Sequence, residues 1–236
     1  MKTFFVSLFG PDIRVELPDG SKRPLNDYLL PNAIFTIAAL LLMASTFLPY
    51  WRMTMTAPQY PKGLHVNVYV NHLEGDMREI DELNHYLGMP VLDAGGQLER
   101  SFALVAIVAL GLVLAASVFV HNQFAALLAL PVILYPAIFV ADLYSILYTY
   151  GHSIDPKSAL GSAIKPFTPP LVGVGKVGQF GTIAEFQIGF LIAILAVGVV
   201  LIGLYFHRRA YKPVVDARKR LSQQHAAETT TAAVNA

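Results

Sequence analysis

The sequence has no cysteine and few charged residues, and both shortages narrow the classes of function. Without thiolates the chain cannot form a disulfide, a thiolate zinc site, an iron–sulfur cluster or a cysteine nucleophile, whereas His, Met and carboxylate ligands remain. Only 14% of the residues are charged and 55% are hydrophobic, whereas soluble domains are roughly a quarter charged. Basic and acidic residues nearly balance, 17 against 16, which excludes the basic surface of a dedicated nucleic-acid-binding protein. The composition predicts an integral membrane protein.

Four apolar runs are long enough to cross a bilayer, since a spanning helix needs roughly 20 apolar residues. They cover about residues 29–51, 101–121, 124–149 and 186–207. In lipid the backbone has to bond within its own segment, which favours helices. We predict an all-α integral membrane fold, a four-transmembrane-helix bundle with a small strand-plus-helix extracytoplasmic cap. At the outer end of the first run, Tyr50 and Trp51 are predicted to anchor the helix at the membrane interface.

The spans divide the chain into a cytoplasmic N-terminal segment, a membrane domain and a cytoplasmic tail. The predicted ranges are 1–28 for the segment, 29–207 for the domain with outward loops 52–100 and 150–185, and 208–236 for the basic tail. Lys and Arg are roughly twice as dense in the terminal segments as in these loops, which favours cytoplasmic termini. The end of the tail is predicted to be disordered, and a Pro-Asp-Gly turn is predicted in the N-terminal segment.

The first outward loop has the periodicity of a strand followed by a helix. Apolar and polar residues alternate over residues 64–72, so His72 is expected to point inward with the apolar side chains. A helix over about 77–87 follows, with Asp76 and Glu79 spaced as a capping box. Its apolar face is predicted to contain Met77, Ile80, Leu83 and Leu87, and its opposite face Arg78, Glu82, His85 and Met89.

His85 and Met89 are the first candidate metal ligands, one helical turn apart. Imidazole and thioether without Cys, on the oxidising side of a membrane, suit copper. His72 would add an imidazole whose ring Asp76 holds in place. The alternative is a solvated face with an Arg78–Glu82 ion pair.

The second outward loop and the third span each contribute one candidate residue. His152 emerges just above the third span, where it either joins the histidines of the first loop or caps helix carbonyls. Asp142 is the single carboxylate well inside an apolar run, so it needs a partner or a wet cavity. A hydroxyl of Ser117, Tyr135 or Thr36 would satisfy it structurally, and a functional role is equally open.

Other site types have little support in the sequence. A haem held in the bundle needs paired histidines within the spans, and only His121 and His207 come near, at the cytoplasmic ends. No haem is expected. The spans hold no second ionisable residue for a proton relay, and no nucleophile stands out, so we expect a protein that is not an enzyme.

Several strings in the loops resemble a family of four-span bacterial membrane proteins associated with nitrous oxide reductase maturation gene clusters (NosB-like proteins). The resemblance lies in Ala57–Leu64, Gly75-Asp76, Leu83–Met89, Asp142, Tyr150–Pro156 and Pro169–Gly173. The string around His85 and Met89 is fairly specific, whereas residues 1–28 are longer than expected. The resemblance implies a multi-pass protein of the bacterial inner membrane that serves a copper-dependent enzyme, and it carries over His85, Met89, His152 and Asp142.

The leading hypothesis is a non-catalytic inner-membrane accessory protein that supports a copper-dependent membrane or periplasmic enzyme through assembly, copper handling or stabilisation. Its candidate copper ligands are His85, Met89, His72 and His152, and its further candidate residues are Asp142, Asp76, Glu82 and Asp155. Its partners would be the other proteins of that complex and the bilayer, with no nucleic acid. The alternative is a structural subunit of a membrane oxidoreductase or monooxygenase complex without its own metal. A third hypothesis, a quinone-binding subunit or enzyme, uses Asp142 and His152.

Overall fold

The computed structural model describes residues 14–16, 20, 22–120, 124–177 and 180–234. Its helices are α1 (Asn26–Ser45), α2 (Met77–Leu87), α3 (Gln97–Ala116), α4 (Phe124–His152) and α5 (Ile188–Val234). Its strands are β1 (Arg14–Glu16), β2 (Lys22–Pro24), β3 (Trp51–Ala57), β4 (Tyr60–Val68), β5 (Leu73–Gly75), β6 (Gly173–Val177) and β7 (Phe180–Phe186).

Four helices within these ranges are long and apolar enough to cross a membrane, as the sequence predicts. The candidate spanning helices are Asp27–Ser45, Gln97–Ala116, Phe124–His152 and Ile188–Gln224, each of which contains an apolar window of 18 residues. By length and composition the chain is therefore a membrane protein. Helix α5 runs on to Val234, across the end of the tail for which composition predicts disorder. Alanine is frequent there and is a good helix former, so the helix propagates from the preceding turns.

The prediction of an all-α fold is wrong, because the described residues also form a five-stranded antiparallel sheet in the order β5-β4-β3-β7-β6. The fold is therefore mixed. Strand β3 is central, and its sequence alternates apolar and polar residues, which suits a sheet with one buried face. It pairs with neighbouring β4 and with distant β7. Strands β1 and β2 pair in a smaller antiparallel sheet, and Pro18 and Asp19 of the predicted Pro-Asp-Gly turn lie outside the described residues.

The chain divides into two compact units. The first consists of residues 1–38, 113–130 and 198–236, and the second of 39–112 and 131–197. Inside the first unit, His207 is buried with ring contacts to Phe35 and Tyr211, whose centroids lie 6.0 and 4.7 Å away. A third aromatic pair, Tyr28 and Tyr211, meets edge to face at 5.4 Å. Aromatic contacts thus hold this unit together.

The inner face of the sheet forms the core of the second unit. Helix α2 packs on it through Ile80 and Leu87, which join Met55, Leu64 and Val66 in one buried cluster. A second cluster places Leu143 and Leu147 of α4 against Trp51 and Ala184. The predicted bounds and apolar face of α2 are confirmed, with Ile80 1% and Leu87 2% exposed.

Strand β3 follows the membrane-spanning helix α1 after a short junction, and β7 leads into the membrane-spanning helix α5. Before β3, the amide of Tyr50 donates to the Val68 carbonyl, and the Tyr50 carbonyl accepts from the amide of Gln187. The amide of Gly189, at the start of α5, donates to the Pro49 carbonyl at 2.9 Å. A Cβ at Gly189 would lie 2.6 Å from the Leu48 carbonyl oxygen, so glycine allows the two junctions to approach.

Tyr50 and Trp51 are core residues, which corrects their predicted role as interfacial anchors. Tyr50 is 0% exposed and Trp51 2%. The Tyr50 hydroxyl lies 2.6 Å from Ser45 Oγ, and the Trp51 indole N–H donates to the Leu171 carbonyl at 2.6 Å. Both side chains therefore lock the junction between α1 and β3.

We expect Ile80→Ala to destabilise the second unit, because it removes a buried side chain between α2 and the sheet. The free energy of unfolding should fall by about 2–5 kcal/mol. Denaturant unfolding followed by circular dichroism in detergent measures it. The control Glu82→Ala on the exposed face of the same helix should change it by about 0.5 kcal/mol or less. Equal losses in both variants would contradict the packing of α2 on the sheet.

Candidate functional site

A cavity of about 630 Å³ lies in the second unit between the inner face of the sheet and helices α2, α3 and α4. Its volume is in the range of small-molecule sites, about 300–1,000 Å³. Most of its lining is apolar and comes from the sheet and the two spanning helices: Trp51, Met53, Val66, Ala106, Ile138 and Phe139. A cavity with such walls is suited to an apolar molecule.

Small side chains on α3 leave the space open. Ala103, Ala106 and Ala109 line the cavity at helical spacing, so one face of α3 has little side-chain volume. Across the cavity, α4 presents Phe139 and Asp142. The cavity therefore combines apolar walls with one carboxyl group from a membrane-spanning helix.

The hydrogen-bond donors at the polar end of the cavity are engaged within the protein. The Arg100 guanidinium donates to the side chain and carbonyl of Asp93, at 3.1 and 2.7 Å, and to the carbonyls of Gly95 and Gly96. The Tyr150 hydroxyl lies 2.6 Å from the Val91 carbonyl oxygen. These donors fix the segment before α3.

The side-chain carboxyl and amide oxygens that line the cavity accept no hydrogen bond from the residues the structure describes. The Asp142 carboxyl is half-buried, lines the cavity and makes no hydrogen bond to any residue the structure describes. The three hydroxyls suggested as its partners bond elsewhere: Ser117 to the Leu114 carbonyl, Thr36 to the Asn32 carbonyl and Tyr135 to the Tyr50 hydroxyl. The structural explanation for Asp142 by these hydroxyls is therefore wrong.

Two further acceptors line the same cavity. Asn84 is 3% exposed and lines the cavity. Its amide nitrogen donates weakly to the Pro90 carbonyl at 3.4 Å, and within the described ranges its Oδ1 accepts no hydrogen bond. Glu99 is exposed and also lines the cavity, close enough to Asp142 for the two carboxylates to repel each other.

Two tyrosines near the cavity stay protonated at neutral pH. Burial raises the pKa of Tyr50, against the smaller opposing effect of its bond to Ser45. Loss of solvent, followed by the nearby Glu74 carboxylate, raises the pKa of Tyr69, which lines the cavity. Neither hydroxyl supplies a negative charge.

His85 and Met89 do not share a face in the structure. His85 is exposed on α2, as predicted. Helix α2 ends at Gly88, whose φ of 79° is left-handed, so the helical period does not extend to Met89. Met89 packs against the buried cluster and lines the cavity. The sequence-based pairing of these two residues assumed a helical turn that is not there.

His72 and Asp76 also differ from their predicted arrangement. Strand β4 ends at Val68, and His72 lies in the turn before β5 with a side chain 43% exposed, so its inward orientation is wrong. Its ring stacks on Tyr69 and its Nε2 lies 3.1 Å from Glu74 Oε1. Asp76 accepts the His65 amide at 2.8 Å and makes no side-chain cap on α2.

His152 caps its own helix, one of the two roles left open for it. Its Nδ1–H donates to the Tyr148 carbonyl at 2.8 Å, and the two rings stack at 3.9 Å. Asp155 Oδ1 accepts the Lys157 amide in a local turn at 2.9 Å. In the part of the chain that the structure describes, no three His, Asp or Glu side chains are grouped to hold a metal ion.

The Arg78–Glu82 pair forms as the solvated alternative predicts, at 3.4 Å and with both side chains exposed. Such a surface pair contributes little stability.

Neither a scan against protein-family models nor a search of curated proteins finds a match for this chain. The resemblance to the NosB-like family therefore stays a prediction.

Sequence reasoning missed the cavity walls contributed by β3. The signal was present, because Trp51-Arg52-Met53-Thr54-Met55 alternates apolar and polar residues. Arg100 and Glu99 were likewise missed as site residues, since their positions at the cavity depend on how α3 packs beside α4.

We expect Met89→Ala and His85→Ala to differ in their effect on stability, because only Met89 packs in the core. Met89→Ala should lower the free energy of unfolding by about 2 kcal/mol, and His85→Ala by about 0.5 kcal/mol or less. Denaturant unfolding with and without added Cu(I) measures both. Stabilisation by copper that both substitutions abolish would contradict the separation of the two side chains.

Proposed function

We propose that this chain is a membrane-embedded binding protein without a catalytic step of its own, which holds an amphiphilic, lipid-like molecule in the cavity of the second unit. The observation that carries the proposal is the apolar volume of about 630 Å³ lined by the sheet, α3 and α4. Two of its walls are helices apolar enough to span a membrane. Such a molecule would therefore come from the bilayer.

The single tryptophan provides a specific test, because Trp51 lines the cavity. A bromoalkyl amphiphile should quench Trp51 fluorescence saturably in purified protein, since bromine quenches only at short range. Ala106→Phe fills the cavity and should weaken the apparent affinity at least about tenfold, the effect of losing roughly 1.4 kcal/mol of binding energy.

The matched control is Val105→Phe. Val105 is 68% exposed on α3 and does not line the cavity, so quenching should resemble that of the wild type. If both variants quench equally, or if quenching never saturates, the cavity is not the binding site.

We propose further that the protein lies in a bacterial inner membrane with both termini in the cytoplasm and the sheet on the outer side. The support is the greater density of Lys and Arg in the terminal segments. The accessory role beside a copper-dependent enzyme, and copper handling by this chain, remain predictions from the resemblance. The alternative role as a metal-free subunit of a membrane complex also remains a prediction.

Labelling of single-cysteine variants tests this orientation, and the natural chain contributes no background because it has no cysteine. A membrane-impermeant maleimide should label Glu82→Cys in intact cells, since Glu82 is exposed on α2. Gln223→Cys, exposed near the end of α5, should be labelled only after permeabilisation. The reverse pattern would contradict the proposed orientation.

A further inference from the structure

We infer that the cavity selects an amphiphile whose head is an amine, and that Asp142 binds this head together with Asn84 and Glu99. The inference rests on the proposed binding function and adds the chemical class of the ligand. The class of ligand follows from which polar atoms at the cavity already form hydrogen bonds within the protein and which do not.

Asp142 lies on a membrane-spanning helix, where a carboxyl group needs a partner or water. The described part of the chain gives the Asp142 carboxyl no hydrogen bond. The charged side chain that acts on it is Glu99, whose carboxylate carries the same sign of charge. A ligand that donates hydrogen bonds would remove the cost of leaving this carboxyl unpaired.

The neighbouring groups define what such a ligand must supply. Arg100 cannot neutralise Asp142, because its guanidinium is held by the Asp93 carboxylate and by three backbone carbonyls. Asn84 is buried, and its Oδ1 accepts no hydrogen bond from the residues the structure describes. Two carboxyl groups and an amide oxygen therefore face the same space as acceptors.

A protonated amine complements this set in both charge and hydrogen bonding. Ammonium provides three donors and one positive charge, whereas an alcohol provides one donor and no charge, and a fatty acid would add a third carboxylate. The apolar walls of the cavity suit the chain that carries the amine. The complement is thus an alkylamine or the amine head of an aminolipid.

The test compares three bromoalkyl probes of one chain length, with amine, alcohol or carboxylate heads, by quenching of Trp51. In the wild type the amine should bind at least about tenfold tighter than the alcohol, as expected for a charge-assisted hydrogen bond. Asp142→Asn should reduce this preference and keep the alcohol affinity, because Glu99 and Asn84 remain as acceptors. Retained alcohol binding shows that the variant is folded, and Asp142→Glu should restore part of the preference.

Glu185→Gln is the matched control, because it removes a carboxylate that is exposed on β7, bonded to Gln187 and absent from the cavity lining. It should leave the amine preference intact. In nanodiscs, stronger quenching by brominated phosphatidylethanolamine than by brominated phosphatidylcholine would support an aminolipid source, and quenching by the free alkylamine alone would support a single-chain amine.

Equal affinity for amine and alcohol in the wild type would overturn the inference while leaving the cavity as a binding site. An amine preference that Asp142→Asn leaves undiminished would overturn the assignment of Asp142. If no probe quenches Trp51 saturably, the proposed binding function itself fails, so the two failures are distinguishable.

Discussion

The antiparallel pairing of β3 with β7 is the interaction on which the second unit depends. Trp51 lies opposite Phe186 in the register, and each strand is joined within a few residues to a membrane-spanning helix, β3 to α1 and β7 to α5. The indole of Trp51 also packs against Leu143 and Leu147 and bonds to the second loop at Leu171. One strand pair therefore joins the adjoining ends of α1 and α5 to the sheet whose inner face lines the cavity.

Features with a local signal were predictable from the sequence. The four spans follow from continuous apolar runs, and α2 follows from its 3.6-residue period and the glycine after it. The sheet could not be predicted as such, because its central pairing joins residues far apart in the chain, such as Met53 and Ala184. The start of β3 was also hidden, because Trp51 was assigned to the end of the first apolar run.

For the candidate site too, the local sequence identified individual residues, whereas their surroundings depend on how the helices pack. Asp142 stood out because a carboxyl group is rare in an apolar run, but its surroundings depend on the spacing of α3 and α4. Periodicity misplaced Met89, because Gly88 ends the helix, and His72, because the strand turns after Val68. In both cases a regular period was extended past the end of its element.

The strand order also imposes a sequence of events on biogenesis. Strands β3, β4 and β5 and helix α2 are consecutive in the chain, so they can fold together before the rest is translated. Strand β7 follows only after α3 and α4 have been synthesised, and until then one edge of β3 offers unpaired amides to other polypeptides. Insertion of the last span thus coincides with closure of that edge, and a nascent chain stalled earlier would be left prone to aggregation.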